Sequence, residues 1–120
     1  MSYVDGLVAA VPNARKDDYI AHAKAMWEIF KDHGALSLVE CWGDDVPAGE
    51  VTSFPMAVNC AEDETVVLSW IRWASKEARN TGWTRIMEDP RMQQEDMQTM
   101  PFDGKRMIFG GFAPLLDVKA

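Results

Sequence analysis

The apolar residues of this chain follow two rhythms, one of period two and one of period near 3.6. Residues 3–11 read as a strand, with both alternating faces apolar after Asp5. A strand of that kind is covered on both sides, and Pro12, which cannot donate to a ladder, stops it. Residues 16–33 read as a helix, because Tyr19, Ala23, Met26, Trp27 and Phe30 form one stripe. Asp17 and Asp18 in its first turn and Lys31 and His33 in its last suit the helix dipole. Gly34 can take the left-handed conformation that closes a helix. Residues 36–43 form a second strand, with Leu36, Leu38, Glu40 and Trp42 on one face and Ser37, Val39 and Cys41 on the other. Residues 44–54 carry turn signals, and residues 56–60 extend as a strand beyond Pro55.

Residues 65–73 are the most strand-like run, rich in β-branched and aromatic side chains. Ser75 can cap a helix over 76–88, which Asp89-Pro90 ends. Gly82 weakens that helix by about 1 kcal/mol relative to alanine. Residues 91–99 form irregular helical turns, Asp103-Gly104 turns the chain, and 105–112 make the last strand. Gly110-Gly111 there marks a bulge or a close backbone approach.

The order β-α-β-β-α-β predicts an α+β fold of the ferredoxin-like, split-βαβ kind, one domain over residues 1–120. Two helices can cover only one face of the four-stranded sheet, yet the strands are apolar on both. The expected partner for the bare face is a second copy across a two-fold axis. The predicted unit is a homodimer in which two sheets face each other as an α/β barrel.

Composition narrows the partners. The chain of 120 residues carries 12 basic and 19 acidic side chains, a net charge of −7, with no strongly basic segment. Binding nucleic acid or an anionic membrane surface calls for clustered Lys and Arg, so neither is an expected partner. No apolar run reaches the roughly 18 residues of a membrane helix. Met1-Ser2-Tyr3-Val4-Asp5 lacks the basic and apolar stretches of a signal peptide. With Cys41 and Cys60 in neither a CxxC nor a zinc-ligand spacing, the expectation is a cytoplasmic protein with two reduced thiols.

Longer motifs run through the chain: Glu40-Cys41-Trp42-Gly43-Asp44-Asp45-Val46-Pro47, then Asp63-Glu64-Thr65-Val66-Val67 with Ser69-Trp70-Ile71, then Asp89-Pro90-Arg91-Met92. Met100-Pro101-Phe102-Asp103-Gly104-Lys105-Arg106-Met107-Ile108 and Gly110-Gly111-Phe112 complete them. In these the sequence resembles the bacterial DUF1428 family, nearly end to end. The resemblance implies the dimeric α/β-barrel superfamily, in agreement with the pattern above. That superfamily includes cofactor-free monooxygenases, haem enzymes and small-molecule-binding domains, so it implies a fold and not a reaction. One departure is Ala74, where such relatives lead one to expect proline at a helix entry.

The candidate chemistry is sparse. His22 and His33 share a helix face but lie about 16 Å apart along it, too far to bind one ion. No metal site, haem ligand, phosphate loop or catalytic triad is spelled out, and no cofactor is expected. Cys41 reads as a small core thiol. Glu40 stands out as a carboxylate on an apolar strand face. Buried there, its pKa would rise and it could serve as a general base. Alternatively it is paired with Arg72 or Arg106, the pairing slightly favoured for Arg106. One of Lys105 and Arg106 must point inward, and an inward Arg106 could instead hold an anionic ligand. Asp44 and Asp45 at the strand end either join Glu40 or cap the following turn. Trp42, Trp70 and Trp73 could line an aromatic cavity or a dimer interface. Two functions follow. One is a small-molecule-binding protein or cofactor-free enzyme, with Glu40 as base and Trp42, Trp70, Arg72 and Arg106 as ligand contacts. The other is a non-catalytic structural or protein-interaction dimer.

Overall fold

In the computed structural model, which describes residues 2–120, four strands form one sheet. Strand β1 spans Tyr3–Pro12, β2 Ala35–Trp42, β3 Glu64–Trp73 and β4 Ile108–Phe112. Their order across the sheet is β2-β3-β1-β4, and every neighbouring pair is antiparallel. Helix α1 spans Lys16–Asp32 and α3 Lys76–Glu88, with short helices α2 at Phe54–Ala57 and α4 at Glu95–Gln98. The fold is α+β, and this order is consistent with a ferredoxin-like arrangement.

Helices α1 and α3 pack on the same sheet face. Ile29 and Phe30 of α1 and Ile86 of α3 meet Ile71 and Trp73 of β3 in the main core. Local signals place the helix ends where expected. Gly34 follows α1 with φ 105°, and the Ser75 hydroxyl accepts the Ala78 N–H at 3.0 Å to cap α3. Gly82 is more than a weak spot in α3. An added Cβ there would stand 2.5 Å from the Trp73 ring and 2.7 Å from the His33 carbonyl oxygen. The missing side chain is what lets α3 lie on the indole.

Three expectations are corrected. Residues 56–60 do not continue a strand, because Ser53 caps α2 through the Met56 N–H at 3.1 Å and Pro55 suits a first helical turn. The regular alternation expected over residues 36–43 breaks at Leu36, which is 59% exposed. The β2–β3 register slips between Ala35 and Ser37, and the extra residue is squeezed out to solvent. The last strand starts at Ile108 rather than at 105, since Asp103 ties residues 103–106 into a turn through the Lys105 N–H and the Arg106 guanidinium.

The second sheet face is partly covered. At one end Val58, just beyond α2, is fully buried against Val8, Ala10 and Val66. At the other end the segment after β4 brings Pro114, Leu116 and Asp117 next to Val4, Trp70 and Arg72. Between these ends Leu68, Ile108 and Phe112 stay exposed.

Candidate functional site

The α1–β2 seam opens into a cleft of about 690 Å³. Tyr19, Ala23, Lys24 and Trp27 line it from α1, and Leu38 and Glu40 from β2. Among the described residues strand β2 has a neighbour only on its β3 side, so the cleft lies at the sheet edge and is open to solvent. Helix α1 lines one side with part of its apolar stripe and with the charged side chains of Lys24 and Glu28.

Glu40 sits on that wall. Its Oε1 accepts the Tyr19 hydroxyl at 2.7 Å. Ser69, its register partner on β3, is buried beneath it. Desolvation by the surrounding protein pushes the Glu40 carboxyl above the usual range, while the Tyr19 and Ser69 hydroxyls pull it part of the way back. Burial and the neighbouring Glu40 carboxylate push the Tyr19 phenol far up, so it stays a donor. As a whole residue on an edge strand Glu40 remains reachable from solvent. The pair is therefore a carboxyl group of raised proton affinity, oriented by a fixed hydroxyl, next to an apolar groove.

The five candidate residues fall in three places. Glu40 and Trp42 share the helix-facing side of β2, where Trp42 packs with Val11, Tyr19 and Val67. The Lys16 ammonium lies 4.8 Å from the Trp42 ring centroid. Trp70 and Arg72 are on the opposite face, and Arg72 lies 3.7 Å from the Asp117 carboxylate. Arg106 stands at the end of the sheet, holding Glu64 through two bonds of 2.7 and 2.8 Å and also donating to the Asn59 carbonyl at 2.8 Å.

Glu40 thus pairs with neither Arg72 nor Arg106. Arg72 follows Ile71, so strand alternation sends it away from Glu40, and Arg106 precedes β4 altogether. The same alternation divides the tryptophans. Trp73 is fully buried under α3, while Trp70 is on the other face. They do not line one cavity. His33 is partly buried, and its Nε2 lies 2.8 Å from an Asp89 carboxylate oxygen that Arg91 also holds. Among the described residues no group of three His, Cys, Asp or Glu side chains is placed to hold a metal ion.

Two important groups were not singled out in the sequence. Tyr19 was counted as part of the α1 stripe. The available signal was its hydroxyl, which needs a partner when the ring is buried. Asp5 accepts the indole N–H groups of both Trp73 and Trp83 at 2.9 Å and the Arg79 guanidinium at 2.8 Å. A lone acid at the start of an apolar strand was the only hint of it.

Comparison with known proteins bears on identity. The family model described as "Protein of unknown function (DUF1428)" matches residues 2–104. The Uncharacterized protein YbaA of Escherichia coli strain K12 is 53% identical over 117 residues, covering 98% of this chain and 99% of that protein. The protein of the same name from Shigella flexneri matches to the same extent. Among solved structures, protein Atu4242 from Agrobacterium tumefaciens superposes with a TM-score of 0.54 at 18% identity, covering 93% of this chain and 92% of that one, a likeness of fold alone. By the family match and by identity to these relatives, the chain belongs to the DUF1428 family.

Proposed function

We propose that this protein binds a small, largely apolar weak acid in the α1–β2 cleft and that Glu40 takes a proton from it, without a cofactor. The observation that carries the reading is the 2.7 Å bond between the Tyr19 hydroxyl and Glu40 at the wall of that cleft. The apolar body of the ligand rests on Trp27 and Leu38. Its acidic C–H or O–H faces the Glu40 oxygen that Tyr19 leaves free. The bond to hydrogen breaks, its electron pair stays on the ligand, and the proton goes to the carboxylate. Desolvation raises the proton affinity of Glu40, which favours this transfer. Tyr19 holds the other oxygen and so orients the base.

The working unit in this reading is a ferredoxin-like homodimer in the cytoplasm, its sheets facing each other as a barrel. The exposed apolar side chains of Leu68, Ile108 and Phe112 support a second copy on that face. Free thiols at Cys41 and Cys60 suit a reducing compartment. The exposed Leu68, Ile108 and Phe112 equally support the competing reading, a dimer without chemistry. In the barrel, Trp70 and Arg72 belong to the interface, and only Glu40 and its cleft neighbours to the ligand site.

The test is a thermal-shift screen of small organic acids, enols and phenols against the wild-type chain, Glu40→Gln and Trp27→Ala. A ligand that binds only the native state raises the melting temperature. The expected result is a hit whose shift shrinks in both variants and whose NMR perturbations centre on Tyr19 and Leu38. A screen with no hit, or hits unaffected by both substitutions, would leave the non-catalytic dimer as the better reading.

A further inference from the structure

We propose that residues 113–120 form an arm that clasps a second copy of this chain across the partly covered sheet face. The inference rests on the homodimer reading and adds the element that holds the two copies together.

The base of the arm is anchored on its own sheet. Pro114 and Leu116 share a shallow groove with Val4 and Trp70, and Asp117 faces Arg72 at 3.7 Å. Three of its aliphatic side chains nevertheless stay mostly in water. Leu115 is 100% exposed, Leu116 77% and Val118 75%. Three aliphatic side chains left in water within one short segment are costly to maintain in a lone chain.

The bulk dimensions agree. The chain exposes 7949 Å², whereas a monomer of 13.5 kDa is expected to expose about 6,500 Å². The radius of gyration is 15.1 Å, against about 13.6 Å for a compact domain of this length. If each of two copies buried the excess of about 1,400 Å², the interface would total about 2,800 Å², within the range of permanent homodimers. A second copy also fits the shape of the problem. Each chain carries both an arm and an exposed sheet face, so one two-fold axis covers both pairs at once.

Analytical ultracentrifugation of the full chain and of the double variant Leu115→Glu/Leu116→Glu tests this. The wild type is expected to be a dimer at micromolar concentration, and the variant to dimerise about 100-fold more weakly or worse, with an unchanged circular dichroism spectrum. A wild-type monomer overturns both the arm and the dimer reading. A wild-type dimer matched in affinity by the folded variant overturns the arm alone. Amide exchange gives a second readout that needs no variant. Exchange at residues 115–119 should slow as wild-type concentration rises through the dimer range, and exchange independent of concentration overturns the arm.

Discussion

Tyr19, in the first turns of α1, donates its hydroxyl to Glu40 in the middle of β2 at 2.7 Å, joining helix to edge strand at the wall of the cleft. The bond lowers the proton affinity that burial gives Glu40. Replacing Tyr19 by Phe should therefore move the Glu40 titration midpoint further up, read by carbon-13 NMR of its carboxyl. The lost bond to a charged group should also cost about 1 to 3 kcal/mol of stability. A midpoint that stays put or falls would mean that Tyr19 does not set the protonation of Glu40.

Asp5 joins β1 to α3 by accepting from Trp73, Trp83 and Arg79. Its side chain is only 14% exposed. Asp5→Asn keeps the shape but leaves the Arg79 guanidinium without its counter-charge. The expected loss is about 2 to 4 kcal/mol by urea denaturation, because the amide oxygen can go on accepting from the two indoles while the amide NH2 is left facing the guanidinium. A variant as stable as wild type would reduce Asp5 to a passive neighbour.

For Gly82 the secondary structure and the packing point in opposite directions. In an exposed helix, glycine to alanine gains about 1 kcal/mol. In α3 the new methyl would meet the Trp73 ring and the His33 carbonyl at contact distances that no relaxed structure holds. Gly82→Ala should thus be destabilising on balance, by about 1 to 3 kcal/mol, with a lower denaturation midpoint. A stabilised variant would show that α3 can lift from Trp73 without cost.

Acid should unfold the protein in part through Glu64. The Arg106 guanidinium, by its hydrogen bonds, holds the Glu64 carboxyl down to about 2 against partial opposition from burial, where the ordinary value is 4.5. A folded value below the unfolded one means that the folded state binds fewer protons. The stabilisation is complete above about pH 4.5 and is lost as pH falls through about 2. Arg106→Gln should remove that part of the acid slope. Glu40 has the opposite sign, since its folded value is raised. Its contribution is present at low pH and lost as pH rises through the folded value, so Glu40→Gln should flatten the slope on the neutral side. Denaturation midpoints measured from roughly pH 2 to 8 separate the two.

The secondary structure was largely legible because its signals are local. The α1 stripe, the Ser75 cap, Gly34 and the β3 run act over a few residues, and each appears where the pattern puts it. The misreadings were local as well. At residues 54–57 a serine cap outweighed apolar content, and at Leu36 a bulge interrupted the strand alternation. The candidate site was half legible. Glu40 was conspicuous as a carboxylate among apolar neighbours, and alternation set it on the face of Leu38 and Trp42.

By itself the sequence determined the four strands of the sheet to within a few residues, the two long helices, the α+β class, the family and the one unusual glutamate, all carried by periodicity, caps and contiguous motifs. Only the tertiary structure decided what Glu40 meets. Alternation says which side chains share a face, but it does not say which face the helices cover. Packing α1 and α3 on the side of Val67, Ile71 and Trp73 gave Glu40 a tyrosine for a partner instead of an arginine. It also left Trp70 and Arg72 on the opposite side, and it turned a buried charge pair into an open cleft.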